Sequence, residues 1–369
     1  MATGFRAVGL HSGAHNNLQL CFKARFLQRG NYPEIAHQII SNRRSASSLS
    51  SRQFPPFHLC ASVVYTIMGA NTIFTRDEAF WNNYLKGRPT APEAFFDRIF
   101  RYHEEKGGHF GTVHDAGAGN GPYGHKLRSR FDTVIISDIG PENVRLAQDR
   151  LGTDGFRYRA TQIEDATDIA PSSVDLVFAT NVLHFADQER ALQAIADQLK
   201  PGGTLVVGAF GSARFRDAEV QQVWARITYQ AGRALLKHAD KPEQTQKVME
   251  RSSGFYNVAP LDDRLFEPGA RRIHLNMEEG GLTSLLPPEV KPTEPDYTSP
   301  YDVEVWEKEA GWSVKTDLDG VKSHFASFPF STLDPAGYEV LWEELQGLLK
   351  DDRVVEAYFP ATIILATRR

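Results

Sequence analysis

The chain has 369 residues, 41% hydrophobic and 24% charged, with a net charge of −5. These are the proportions of a globular protein, and no apolar run is long enough to cross a bilayer as a helix. The acidic balance argues against nucleic acid as a partner, which would need a basic footprint.

The charge is uneven along the chain. Residues 1–67 carry seven Lys/Arg against Glu34 alone, a balance of +6 that leaves −11 for the rest. This segment is also rich in Ser and Asn and has no sustained periodicity. Its composition is that of an organellar transit peptide, and equally that of an unused extension upstream of Met68. Either way it is expected to stay outside the fold. The chain is then expected to be cytoplasmic, or mitochondrial if the segment is a genuine address. Both cysteines, Cys21 and Cys60, fall in this segment. The remainder therefore offers no disulfide, no thiolate metal site and no cysteine nucleophile.

Residues 75–106 read as helical, first through Phe80, Trp81, Tyr84 and Leu85, then, after Pro89 and Pro92, through Phe95, Phe96, Ile99 and Phe100. From Thr112 the pattern alternates. Strands are expected at 112–116, 133–137, 156–159, 176–179 and 204–209, with helices at 121–130, 141–151 and 187–199. Such alternation implies parallel βαβ units and a sheet covered on both faces. The nearly continuous apolar run from Val174 to Ala179 suits a buried central strand. Pro201-Gly202-Gly203 reads as a turn before the next strand. Residues 212–252 look helical, and Arg271–Met277 looks like a strand. A Pro/Gly/Glu-rich loop at 278–300 precedes the aromatics Trp306, Trp312, Phe325, Phe328 and Phe330. A helix at 335–349 and a strand at 361–367 follow.

The chemical signal lies at Asp115-Ala116-Gly117-Ala118-Gly119-Asn120-Gly121, at the end of a strand and the start of a helix. Glycines let the backbone turn tightly and approach a ligand, and the helix start offers free N–H groups. Asp138 ends the next strand, about twenty residues on, where a carboxylate can hold a ribose. The dinucleotide spacing G-x-G-x-x-G would require glycine at position 122, which is proline. Asp115, two residues before the first glycine, would repel a pyrophosphate and suits an ammonium group. These two details favour S-adenosylmethionine over NAD.

Together with Gln162-Ile163-Glu164-Asp165, Ser173 to Val177 and Leu199-Lys200-Pro201-Gly202-Gly203-Thr204-Leu205, the loop makes residues 111–210 resemble a class I S-adenosylmethionine-dependent methyltransferase. Tyr84 to Pro89 and Asn181 to Phe185 are similar to the fungal trans-aconitate methyltransferase-like group, which methylates small acids and related metabolites. The resemblance implies that Asp115, Gly117, Ala118 and Gly119 wrap the methionine end and that Asp138 holds the ribose. It places Ile139 against the adenine and Gln162 and Ile163 at the adenine edge. Gln162 stands where many relatives carry Asp. Asn181 would line the methyl-donor side, and Arg88 would reach the methionine carboxylate.

His184 is the candidate general base, since a near-neutral imidazole after the fourth strand faces the substrate in this fold. The other reading is a ring packed on Phe185 that shapes the pocket. A carboxylate acceptor needs no base, and alignment with exclusion of water supplies much of the catalysis. His103, His109, His114 and His125 show no metal-ligand spacing. The expected architecture is an α/β fold, a doubly wound, seven-stranded, mostly parallel sheet with a final antiparallel strand. Its core is 107–210, 271–277 and 335–369, and its lid segments are 75–106, 211–270 and 278–330. The expected reaction moves a methyl group to an oxygen, carboxylate or hydroxyl, of a small metabolite. The rivals are an NAD oxidoreductase and a methyltransferase fold that binds the cofactor without transfer.

Overall fold

The computed structural model describes residues 78–256, 258–277 and 280–369. The basic segment 1–67 and its two readings lie outside the described residues. Two helices open the fold, α1 (Glu78–Gly87) and α2 (Glu93–Glu105), separated by the expected prolines. Strands and helices then alternate: β1 (Thr112–Ala116), α3 (Gly124–Arg128), β2 (Thr133–Asp138), α4 (Pro141–Leu151), β3 (Phe156–Ala160), β4 (Val174–Thr180), α5 (Gln188–Gln198) and β5 (Leu199–Phe210). Helix α3 starts later than the apolar pattern predicts. Gly121 has φ +70°, outside helical space, and Pro122 follows it. Pro201–Gly203 is not a turn ahead of the strand but lies within β5. It bulges out of β5, whose register with β4 jumps between the Val174–Leu199 and Leu176–Thr204 pairs.

The span 212–252 holds a short strand, β6 (Arg214–Phe215), and two helices, α6 (Ala218–His238) and α7 (Pro242–Arg251). Asp217 caps α6 by accepting from the Glu219 and Val220 N–H groups. Strands β7 (Arg271–Leu275), β8 (Val303–Glu307) and β9 (Ser313–Thr316) follow. Helices α8 (Leu318–Ala326) and α9 (Glu339–Leu348) and strands β10 (Val355–Tyr358) and β11 (Ala361–Thr367) complete the order.

The main sheet runs β3-β2-β1-β4-β5-β11-β7-β8. Strands β1 to β5 pair in parallel, whereas β11 pairs antiparallel with both β5 and β7. The reversed strand is thus the expected one, but the sheet has eight strands and not seven. The eighth is β8, parallel to β7 in the register Arg271–Val303 to Leu275–Glu307. It comes from a stretch expected to be lid. Its Val-Glu-Val-Trp-Glu alternation is a half-exposed edge-strand pattern, masked in the sequence by the aromatics after it.

Two apolar cores cover the two faces, and the period of two decides which residue goes where. Phe178, Val206 and Ile363 join one core, and Val177, Val207 and Ile364 join the other. All seven residues of β4 are buried, as its apolar run requires. A second sheet, β6-β10-β9, is antiparallel and lies beside the Phe210 end of β5, where β11 begins at Ala361. No described helix is long and apolar enough to cross a membrane.

Candidate active site

The strand order reverses at β1 and β4, so a crevice opens beyond their carboxyl ends, where open α/β sheets take ligands. A cavity of about 690 Å³ occupies it. Arg88, Asp115, Gly117, Ala118, Gly119, Asp138, Ile139, Gln162, Ile163, Asn181 and His184 all line its wall. The structure therefore brings together every site residue expected from the sequence.

The floor is the loop after β1. Gly117 and Gly119 have φ +72° and +57°, and a Cβ on them would lie 2.3 Å from Val182 and 2.2 Å from the Trp81 ring. Only glycine satisfies both the turn and the close approach.

Asp115 is 1% exposed, and its Oδ2 is buried with no hydrogen-bond partner. Burial, reinforced by the nearby Asp138, pushes this carboxyl up to about 8. Asp138 is bound up differently. Its Oδ2 accepts from the Gly119 N–H, and its Oδ1 accepts from the Gly140 N–H and the Asn143 amide, each at 2.9 Å. Burial raises its pKa, and these bonds oppose the rise. Asp138 holds the glycine loop as well as facing the cavity. Ile139, 43% exposed, sits at the rim, and Ile163 is buried.

Helix α1 roofs this end. The Trp81 ring lies on Gly119, and its Nε1–H donates to Asn143 Oδ1 at 3.0 Å. A chain of bonds thus runs from the roof through Asn143 to Asp138. The Arg88 guanidinium, just beyond α1, stacks 3.8 Å over the Phe328 ring and 5.2 Å from the Tyr84 ring. Its Nε is buried without a partner, and burial lowers its pKa. Asp115, Arg88 and Tyr123 line the same cavity, so the two orphaned groups face one space.

At the other end, His184 packs on Phe185 with ring centroids 4.0 Å apart. Its Nδ1 lies 3.0 Å from the Tyr256 hydroxyl. Burial, with Arg251 and Arg88 nearby, lowers the imidazole to about 3. It is neutral at physiological pH and a weak base. Asn181, at φ +54°, turns its side-chain oxygen to the Phe210 N–H, which ties the end of β4 to β5. The aromatics of 306–330 divide. Phe328 and Phe330 line the cavity, Trp312 is in the core, and Trp306 lies on the sheet edge.

The roof segments are clasped at His324 of α8. Its Nε2 accepts from the Ala213 N–H at 3.0 Å, so Nδ1–H donates to the Gly87 carbonyl at 2.7 Å. His103 and His114 are internal struts: His103 bonds Thr204 and His109, and His114 bonds Gln198 and Ser137.

Trp81, Asn143, Tyr123 and Tyr256 were not among the sequence-derived site residues. Asn143 follows Asp138 closely enough to have been found. Tyr256 lies in a long insertion where no pattern marks it.

The acid-tipped glycine loop at the switch point and the single reversed strand define the class, an S-adenosylmethionine-dependent methyltransferase. The family model described as "Methyltransferase domain" matches residues 114–207. Methyltransferase AacuQ of Aspergillus aculeatus is 60% identical over 80% of this chain and 96% of its own length. Methyltransferase tpcM of Aspergillus fumigatus is 55% identical over 82% and 96%, and a methyltransferase of Claviceps purpurea is 54% identical over 81% and 95%. The chain belongs to this family of fungal methyltransferases.

Proposed function

We propose that the enzyme transfers a methyl group from S-adenosylmethionine to an oxygen of a small metabolite within this cavity. The observation that carries the reading is the pair of buried orphans, Asp115 Oδ2 and Arg88 Nε, on one cavity wall. They are a carboxyl and a guanidinium with unused hydrogen-bonding capacity, and the ammonium and carboxylate of a methionine moiety would satisfy both. Gly117, Ala118 and Gly119 would approach the same end. Asp138 has acceptor capacity left for a ribose hydroxyl, with Ile139, Gln162 and Ile163 beside the base.

The cofactor supplies an electrophilic methyl on a sulfonium. An acceptor oxygen held in the cavity would form the new C–O bond to that methyl, leaving the electron pair of the S–C bond on sulfur. The chain's part is to align the two reactants and exclude water. The apolar wall, with Phe80, Phe210, Phe328, Leu333 and Met249, favours a small, largely apolar acceptor. The cavity volume falls within the usual range of about 300–1,000 Å³ for small-molecule sites. Membership of a fungal methyltransferase family fits a role in secondary metabolism.

Calorimetric titration of the full chain with S-adenosylhomocysteine, with NAD as the control, tests the cofactor. Saturable binding of the first and none of the second is the expected result. Binding of NAD alone would restore the oxidoreductase reading.

A further inference from the structure

We propose that Tyr256 is a positioning residue that holds His184 in the tautomer presenting Nε2–H to the acceptor side of the cavity. This rests on the methyl-transfer reading of the cavity.

A neutral imidazole has one N–H and one bare nitrogen, and which is which depends on its partners. His184 Nδ1 lies 3.0 Å from the Tyr256 hydroxyl, and Tyr256 is 1% exposed. Burial pushes the Tyr256 phenol well above its ordinary range, so its proton stays on the oxygen. That hydroxyl proton has one outlet among the described residues, Nδ1. Were Nδ1 protonated instead, it would donate to the phenol oxygen and leave the hydroxyl proton a buried donor with no protein partner among the described residues. Nδ1 is therefore bare, and the ring proton is on Nε2. Nε2 has no protein partner among the described residues, and the ring lines the cavity.

A second observation points the same way. Tyr256 has φ +63°, a left-handed conformation that a tyrosine rarely adopts. Such strain persists only where the surroundings over-determine it. Here Gly254 packs against Gly281, and Tyr256 sits in the core between the lid and β4. The charges that act on the imidazole are Arg88 and Arg251, both cations, so nothing beside it favours an imidazolium.

A donor cannot take the acceptor's proton. The role expected of His184, a general base, becomes that of a hydrogen-bond donor. The acceptor then arrives already ionised, its charge shared by two oxygens: one takes the bond from Nε2–H while the other takes the methyl.

The test is a nitrogen-15 spectrum of the full chain with labelled histidine, for the parent, Tyr256→Phe and His184→Gln. The last assigns the His184 signals by their loss. The parent should show a bare Nδ1 and a protonated Nε2 at neutral pH, and Tyr256→Phe a mixture of tautomers. A proton on Nδ1 in the parent overturns the proposal, as does a ring that titrates near the ordinary 6.5. An unchanged tautomer in Tyr256→Phe also overturns it. Should that variant not fold, the parent spectrum still decides. S-adenosylhomocysteine added to the same samples separates the two claims. Failure to bind sinks the methyl-transfer reading whatever the tautomer, and binding with Nδ1–H sinks the role of Tyr256 alone.

Discussion

Asp115 and Asp138 are both carboxylates at the ends of neighbouring strands, yet they have different jobs. Asp138 is occupied by protein donors, so Asp138→Ala would release the glycine loop and lower affinity whether or not a ribose is bound. Asp115 is the cleaner probe. With its carboxyl near 8, it is mostly protonated at pH 7 in the free enzyme. A bound ammonium favours the charged form and expels that proton. Binding of S-adenosylhomocysteine at pH 7 should therefore release close to one proton, measured as a dependence of the heat on buffer ionisation enthalpy. Affinity should rise as pH goes from 6 towards 8. Asp115→Asn should abolish both effects. Asp115 was legible in the sequence because its distance from the first glycine is fixed by the strand. Its missing partner was not legible, since an unpaired atom is a fact about surroundings.

Helix α1 contributes a roof more than a packing surface. Trp81 joins it to Asn143 and so to the acid that holds the loop. Trp81→Phe removes the N–H and keeps most of the ring. One hydrogen bond is worth about 0.5–1.5 kcal/mol, so S-adenosylhomocysteine should bind up to about tenfold more weakly by calorimetry. An unchanged affinity would mean that the roof closes independently of this bond. The elements legible in the sequence were those with a strong period or an unambiguous stop. Helix 141–151 and strands 112–116 and 361–367 match to the residue. Strands β6, β8, β9 and β10 were missed. They are two to five residues long, and their pairing partners are distant in sequence. A short strand exists because another strand lies beside it, which local pattern does not report.

The whole molecule stores buried titrating groups of opposite effect. His114, His184 and His324 are lowered to about 4, 3 and 3, chiefly by burial. Between those values and the ordinary 6.5 the unfolded chain binds more protons than the folded one. Stability therefore falls as pH drops through this window. Asp115 acts in the other sense. Raised from 3.8 to about 8, it makes the folded state the better proton binder in that range, so stability falls as pH rises through it. Below 6.5 these three histidines, with His103 and His274 shifted the same way, oppose Asp115, which Asp138 and Glu164 support in direction. Above 6.5 the histidines no longer contribute and Asp115 still does. The melting temperature of the cofactor-free enzyme should peak near pH 6.5 and move upward in pH with S-adenosylhomocysteine. A peak that stays in place with ligand would remove Asp115 from the account.

The clasp at His324 has a consequence for traffic. One imidazole carries bonds to both Gly87 and Ala213, so α1, α8 and the segment after β5 share a single latch. Any motion that admits a reactant past Gly87 must break or carry that latch. On the proposed reading, the amino-acid end of the donor lies at the floor and the acceptor nearer the lid aromatics. On that placement turnover would be a queue, with the donor first in, the acceptor second, the methylated product out ahead of the spent donor.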